Sequence, residues 1–169
     1  ATTVPVEVQP LRRAAMVAVY SGTAPIEAHE EAEVVAKVGG EVRQLLVEEG
    51  DMVVAGQVLA RLDGDRLRLD LAEIEANLRK LERDYKRQLE LSQRGLVAKG
   101  TAENAKYDLD ALKASYDSAR LELGYTEIRA PIAGVVSARY IKVGNTISPN
   151  DPAFRVTNLD PLVAYVHIP

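Results

Sequence analysis

The chain has 169 residues, a formal net charge of −4 at pH 7 and no cysteine. This composition excludes disulfides and cysteine-based metal sites, and it lacks the positive charge that nucleic-acid binding usually needs. Aromatic residues make up only 5% of the chain, which favours long, thin modules with small aliphatic cores. No apolar run approaches the roughly 20 residues that a membrane-spanning helix requires.

The first 33 residues are predicted to be extended. Residues 4–8 alternate between valine and polar or proline positions, as in a half-buried strand. A second strand is predicted over residues 15–20, and a third begins near His29 and runs to Val38.

A short β pattern then occurs twice. The first copy reads AKVGGEV at 36–42 and VEEGDMV at 47–53, and the second reads APIAGVV at 130–136 and IKVGNTI at 141–147. Strands are expected around 34–38, 42–47 and 57–62. The repeat indicates one small β module that has been split open by an insertion.

Two pairs of glycines recur at the same offset in the repeat. Gly40 matches Gly134, and Gly50 matches Gly144. We interpret all four as structural turn residues. Gly50 and Gly144 stand in tight turns where a positive φ is expected, which glycine adopts without steric cost.

The insertion is predicted to be two long helices. Asp63-Gly64-Asp65 is a helix start, because a carboxylate can cap free N–H groups. The first helix is expected to end near Gln93-Arg94 with Gly95 as its C-terminal glycine. Thr101 is expected to cap the second helix, which stops at Gly124.

Apolar residues in both helices step by alternating three and four positions. This heptad spacing is typical of helices that pack lengthwise on each other, and a short link makes the pair an antiparallel hairpin. Each arm would reach roughly 40 Å. The apolar positions are Leu67, Leu71, Ile74, Leu78, Leu81 and Tyr85 in the first helix, and Leu109, Leu112, Tyr116, Ala119 and Leu123 in the second.

The chain returns to β structure from Glu127 to Thr157. Asp160-Pro161 is predicted to break the chain, and a new strand is expected from Leu162 to Ile168. That strand has no later partner, so we expect the natural protein to continue beyond it.

No arrangement of residues predicts catalysis, a metal site or a cofactor. His29 and His167 are far apart with no carboxylate at ligand spacing. Gly39-Gly40 lacks the sequence of a phosphate-binding loop. Lys37 occupies the slot that Pro131 fills in the second copy, which favours a structural or surface role.

The tip of the hairpin is the most informative remaining segment. It places apolar groups and cations at an exposed end, which is typical of a docking surface. The simpler alternative is that Leu96 and Val97 only close the hairpin. The candidate partner-binding residues are Arg87, Leu91, Arg94, Leu96, Val97, Ala98 and Lys99.

Four segments of this sequence resemble a known family. The segment GYTEIRAPIAGVV at 124–136 is similar to the start of the second half-lipoyl motif in periplasmic adaptor proteins, the membrane fusion proteins of tripartite efflux pumps and relatives of haemolysin-secretion adaptors. Residues 40–42, 47–51 and 56–63 are similar to the first half motif. The resemblance extends from about Val17 to Ile168.

The resemblance implies an α+β fold. Two half motifs form a split lipoyl/biotinyl-like β-sandwich, a long antiparallel α-helical coiled-coil hairpin is inserted between them, and the first strands of a β-barrel are attached. The implied division is 1–33 for strands leading from the barrel, 34–63 for the first half motif, 64–125 for the hairpin, 126–158 for the second half motif and 159–169 for the start of the truncated barrel.

The resemblance also implies a non-enzymatic role. The protein would link an inner-membrane transporter, of RND type by its modest hairpin length, to an outer-membrane channel for efflux of small molecules. Copies would associate into a ring or tube in the periplasm, anchored to the inner membrane in the full-length protein. In such adaptors the tip often carries Arg, Leu and Ser; Arg87 and Leu91 match, and Ala98 stands where Ser is usual.

Other classes remain open from the sequence. One is an adaptor of an ABC exporter or of a type I secretion system. A second is a biotinyl or lipoyl carrier module, which would need a modified lysine at the turn that the hairpin occupies here. A third is a scaffold whose coiled coil only dimerises.

Overall fold

The computed structural model describes residues 24–164 and, before them, the isolated positions Pro5, Glu7, Pro10 and Arg13. The strand predicted over residues 15–20 lies outside the described residues, as do most of residues 4–8. The end of the strand predicted from Leu162 to Ile168, with His167, also lies outside them.

The described chain consists of short strands and one pair of long helices, which lies between the fourth and the fifth strand. Its elements are β1 (Ile26–Val35), β2 (Gly40–Leu45), β3 (Met52–Val53), β4 (Val58–Leu62), α1 (Asp65–Gln93), α2 (Lys99–Gly124), β5 (Glu127–Arg129), β6 (Gly134–Arg139), β7 (Thr146–Ile147) and β8 (Pro152–Ala164). The strand expected to reach Val38 therefore ends at Val35.

The strands form two four-stranded sheets, ordered β1-β8-β6-β3 and β5-β4-β2-β7. Each sheet mixes strands from both copies of the repeat. Gly40 in β2 pairs with Ile147 in β7, and Val53 in β3 pairs with Gly134 in β6, both antiparallel. Each sheet therefore needs strands from both copies, and neither copy could form a sheet of this kind alone.

The turns of the two copies are held by matching hydrogen bonds. Gly50 has φ 94° and Gly144 has φ 86°, as predicted. The Gly50 N–H donates to the Val136 carbonyl at 2.9 Å, and the Gly144 N–H donates to the Val42 carbonyl at the same distance. Each copy therefore holds the turn of the other.

Two glycines interpreted as turn residues are not in turns. Gly40 and Gly134 are the first residues of β2 and β6. Position 134 requires glycine for a different reason. A Cβ there would lie 2.5 Å from the carbonyl oxygen of Thr157 in β8. Close approach of two backbones, rather than a turn, requires glycine at this position.

A small aliphatic core lies between the sheets. Its largest fully buried side chains are Phe154, Leu59, Val42, Val136 and Val156. Within residues 24–164, the buried cluster takes every member from the β segments and none from α1 or α2. The β body therefore has its own core.

The predicted break at Asp160-Pro161 is wrong. β8 continues through it to Ala164, and its partner is the earlier strand β1, with Ile26 opposite Ala164 and Ala28 opposite Leu162. The register shifts between this pair and the pair of Glu30 with Asn158. Pro161 falls in this irregular stretch, where the ladder does not need its missing N–H.

The helices α1 and α2 pack on each other along one face, here called the seam. All the predicted apolar positions are half-buried or buried, and Leu78 is only 8% exposed. On α2 the seam extends toward the link through the half-buried Ala105 and the buried Ala102. The periodicity thus identified the packed faces correctly.

The ends of the helices differ in how they are capped. At the end of α1, Gly95 has φ 71°, its N–H donates to the Ser92 carbonyl, and the Leu96 N–H donates to the Leu91 carbonyl. This is a Schellman motif. The cap predicted at Thr101 is wrong, because α2 begins at Lys99 with Ala98 as its N-cap and no side-chain cap.

Candidate docking surface at the hairpin tip

The tip is positioned by the place where the hairpin joins the β body. The Leu62 N–H donates to the Thr126 carbonyl at 2.8 Å, so the last residue of β4 lies beside the residue that precedes β5. The Asp63 side chain accepts a hydrogen bond from the Asp65 N–H at 2.9 Å. Both ends of the hairpin are therefore fixed to one edge of the sheet.

Charged side chains link the start of α1 to β2. Arg43 donates to Asp63 at 3.0 Å and contacts Asp65 at 2.7 Å, while Arg68 donates to Asp65 at 2.6 Å. The hydrogen bonds from Arg43 and Arg68 hold the pKa of the Asp65 carboxyl below its ordinary value. The same contact with Asp65 raises the pKa of Arg43.

The seam changes character toward the tip. Farther from the tip the seam is rich in leucine, whereas near the tip it contains Gln88 and Ser92 on α1 and Ala102 and Ala105 on α2. The Oε1 atom of Gln88 is buried without a hydrogen-bond partner in the described part of the chain. A buried side-chain carbonyl left unpaired costs free energy, so Gln88 stabilises the seam less than an apolar residue would at this position.

The structure places Arg87 and Leu91 on α1, one turn apart. Arg87 is 65% exposed and donates to Asp84 at 2.7 Å, and Leu91 is half-buried. Asp84 was missed by the sequence reasoning, although an acidic residue three positions before an arginine on a helix signals such a pair.

The other predicted tip residues are contiguous around the link. Arg94 is the C-cap of α1, and Leu96 is 67% exposed. Val97 is half-buried, while Ala98 and Lys99 are exposed at the start of α2. Leu96, more than Leu91, is therefore the exposed apolar group of the tip.

The tip is basic although the chain as a whole is acidic. Residues 83–106 contain six cationic and three acidic side chains, whereas the whole chain carries a net charge of −4. The cations are Arg83, Lys86, Arg87, Arg94, Lys99 and Lys106, and the acids are Asp84, Glu90 and Glu103. An exposed surface of this sign favours an acidic or carbonyl-rich partner.

A groove at the root of the hairpin was not found from the sequence. It has a volume of about 730 Å³ and lies between the end of α2, β1 and β5, with Leu121, Tyr125 and Val35 in its lining. The ammonium of Lys37 lies 4.6 Å from the centre of the Tyr125 ring. Lys37 therefore packs against the end of the hairpin.

His29 is exposed in β1. The residues that the structure describes contain no cluster of three or more potential metal-binding side chains. They also contain no helix long and apolar enough to cross a membrane.

The split β body and its helical insertion match a known class. The family model described as "RND MFP, barrel-sandwich hybrid domain" matches residues 30–159, which is most of the chain. The chain therefore belongs to the RND family of membrane fusion proteins.

Curated relatives carry names from drug efflux. The multidrug resistance protein MdtA of Photorhabdus laumondii is 29% identical, with 98% of this chain and 45% of the relative covered. MdtA of Escherichia coli O45:K1 is 30% identical, with 78% of this chain and 35% of the relative covered. The chain thus spans less than half the length of these relatives.

Solved structures show the same fold. A MacA-MexA chimera that contains the α-hairpin domain of Pseudomonas aeruginosa MexA has a TM-score of 0.77 at 28% identity, with 80% of this chain and 48% of that chain covered. A putative efflux transporter from Bacteroides eggerthii has a TM-score of 0.74 at 22% identity, with 80% and 41% covered.

Proposed function

We propose that the full-length protein is a non-enzymatic periplasmic adaptor, which links an RND-type inner-membrane transporter to an outer-membrane channel for efflux of small molecules. Membership of the RND membrane fusion protein family and similarity to proteins named for multidrug resistance support this function. Several copies would associate into a ring or tube, and the whole protein would be anchored to the inner membrane.

Each proposed domain corresponds to one or two segments of the chain. Residues 34–63 and 126–158 form the two halves of the lipoyl-like body, and residues 64–125 form a coiled-coil hairpin. Residues 1–33 and 159–169 would connect to a β-barrel. The pairing of β1 with β8 beyond the body supports a connection at that side.

One observation carries the proposal most directly. The hairpin has both ends fixed to the β body, and its helices of 29 and 26 residues would hold a basic tip roughly 40 Å away. A β module that only needed stability would gain nothing from such a projection. A contact at a distance, such as one to a channel, explains it.

We assign the contact to the predicted tip residues. Arg87 would exchange its hydrogen bond to Asp84 for a carbonyl or carboxylate of the channel. Leu91 and the more exposed Leu96 would provide apolar contacts. Ala98 offers no hydroxyl, so the third position of the tip contributes shape rather than a hydrogen bond. Arg94, Val97 and Lys99 complete the surface.

The test is drug resistance conferred by the full-length protein carrying Arg87→Asp and Leu91→Ser together. Reversing the charge and removing the apolar group are expected to reduce resistance at least tenfold in minimal inhibitory concentration while expression is unchanged. Measured resistance equal to that of the unaltered protein would refute the assignment of the tip.

Arg66→Asp is the matched control. Arg66 is 93% exposed and lies near Asp70 on the same helix, as Arg87 lies near Asp84, but it is at the root. It is expected to leave resistance intact. Equal loss in both variants would indicate general damage to the helix instead of a contact at the tip.

A further inference from the structure

The groove at the root of the hairpin has the size and the walls of a site for a small molecule. Its volume of about 730 Å³ lies within the range of about 300–1,000 Å³ in which proteins hold single ligands. Part of its lining is buried core, and its walls include apolar groups left in water, since Val35 is 39% and Leu121 56% exposed. Tyr125 and Pro131 extend these walls. An apolar ligand would remove this surface from water, which favours binding.

The rim of the groove carries as many positive as negative side chains. Glu127 and Arg129 pair with each other. The other charged residues of the rim are exposed, and none of them forms an ion pair within the described part of the chain. They are Glu33 and Lys37 on the side of β1, and Asp117 and Arg120 on the side of α2. Each side therefore presents one free carboxylate and one free cation to the groove.

The ammonium of Lys37 is held at the groove without being neutralised. It lies 4.6 Å from the centre of the Tyr125 ring, and such a contact attracts a cation without supplying a counter-charge. An ammonium has three N–H donors. Lys37 can therefore donate a hydrogen bond to an anion in the groove while it stays on the ring.

The apolar walls and the balanced, unpaired charges together define the chemistry of the occupant. Lys37 and Arg120 attract an anionic ligand, but Glu33 and Asp117 repel it, and a cationic ligand meets the reverse. We propose that the groove binds one zwitterionic amphiphile, which is a molecule with an apolar chain and a head group that carries one positive and one negative charge. Its chain lies on the apolar walls, its anionic group contacts Lys37 or Arg120, and its cationic group contacts Glu33 or Asp117.

The position of the groove favours a dissolved molecule over a lipid within a membrane. The groove lies between the end of α2 and the edge strands β1 and β5. A ligand has to enter between these elements, whereas the head group of a lipid stays at the flat surface of its bilayer. The groove is also at the opposite end of the hairpin from the tip, so this site does not depend on the proposed function.

Equilibrium dialysis of the chain with dodecylphosphocholine, below the concentration at which it forms micelles, measures the binding. Three probes with the same chain length are compared, namely neutral dodecyl maltoside, anionic dodecanoate and cationic dodecyltrimethylammonium. The zwitterion is expected to have a Kd at least about fivefold lower than each of the others, because only it satisfies both signs of charge on the rim.

Gly124 offers a variant that fills the groove. It is the last residue of α2 and lines the groove, and a Cβ there would meet no atom within 4 Å. Gly124→Trp is expected to raise the Kd at least about tenfold, because the indole takes the place of the ligand. Gly100→Trp is the matched control, since Gly100 is equally open but lies in the first turn of α2. It should leave the Kd unchanged.

A second pair of variants removes one sign of charge from the rim without filling the groove. Glu33→Gln with Asp117→Asn leaves only the free cations, so dodecanoate is expected to bind at least about fivefold more tightly than dodecyltrimethylammonium. Lys37→Gln with Arg120→Gln leaves only the free carboxylates, and the order of these two probes should be reversed. All four substitutions are at exposed positions, so the fold is expected to be retained.

Three results would overturn the proposal. One is an equal Kd for the zwitterion in Gly124→Trp and Gly100→Trp, and another is an order of the probes that is the same in both charge variants. The third comes from vesicles of phosphatidylcholine, which present the same head group in a membrane. We expect the chain not to sediment with them, and sedimentation that Gly124→Trp abolishes would assign the groove to a membrane surface instead of a dissolved amphiphile.

Discussion

Gly134 and Gly40 occupy the same position in the two copies of the repeat but meet different surroundings. A Cβ on Gly134 would lie 2.5 Å from the Thr157 carbonyl oxygen, whereas one on Gly40 would lie 3.5 Å from the Asp63 carbonyl oxygen. Thr157 continues along β8, while the chain at Asp63 turns away into α1. Of the two equivalent backbone contacts, the one beside the start of the hairpin is therefore the less close.

This difference leads to a prediction about stability. Gly134→Ala is expected to lower the free energy of unfolding by about 1–3 kcal/mol, because a rigid backbone blocks the added methyl group. Gly40→Ala, its matched control, is expected to change it by less than about 0.5 kcal/mol. Urea unfolding followed by circular dichroism measures both. Equal losses in the two variants would contradict the explanation.

The same comparison shows what residue patterns can predict. The positive φ of Gly50 and Gly144 followed from the tight turns in which they stand. The role of Gly134 did not, because it depends on the close approach of Thr157 in β8, a strand that begins 18 residues further along the chain. A glycine alone does not say whether a turn or a neighbouring backbone requires it.

At the scale of elements, the start of α2 is the weakest cap in the hairpin. Ala98 is the N-cap, in extended conformation with φ −64° and ψ 144°, and it offers no side-chain acceptor to the free N–H groups. A serine oxygen at this position accepts a hydrogen bond from such a group. The residue that this tip lacks would therefore also stabilise the helix.

Ala98→Ser is expected to stabilise the hairpin by about 1 kcal/mol. The midpoint of urea unfolding, followed by helical circular dichroism, measures the gain. Ala111→Ser, at an exposed position within α2, is the control and should lose a few tenths of a kcal/mol through its lower helix propensity. A stability of Ala98→Ser at or below that of the original chain would contradict the cap.

Local sequence rules predicted some features of the two helices correctly and others wrongly. Heptad spacing identified the seam, and Gly95 identified the end of α1, because both signals lie within one or two turns. Thr101 was wrong as a cap because the helix has its N-cap three residues earlier, at Ala98, a residue type that cap preferences do not favour.

At the scale of the whole molecule, each strand pairing that one copy of the repeat makes in the β body has an equivalent made by the other copy. The Gly56 N–H donates to the Ala130 carbonyl at 2.8 Å, and the equivalent Asn150 N–H donates to the Ala36 carbonyl at 2.7 Å. In the same correspondence, the point where the hairpin leaves the first half of the body is equivalent to the point where β1 and β8 extend beyond the second half. The body thus carries two projections at equivalent positions.

The body is expected to fold without its hairpin. Its core contains no residue of α1 or α2 among the described residues, and Leu62 already lies beside Thr126. Replacing residues 63–125 by Asn-Gly would join β4 to β5 through a two-residue turn that suits antiparallel strands. We expect the shortened chain to unfold cooperatively, with a midpoint temperature within about 8 °C of the original.

Calorimetry with a core variant completes this test. Phe154 is fully buried between the sheets, so Phe154→Ala in the shortened chain should cost about 3–5 kcal/mol and lower or abolish the transition. That loss would show that the transition reports the core of the body. A shortened chain with no cooperative transition of its own would mean that the hairpin is needed for folding, and the two halves would then not close on each other as an independent module.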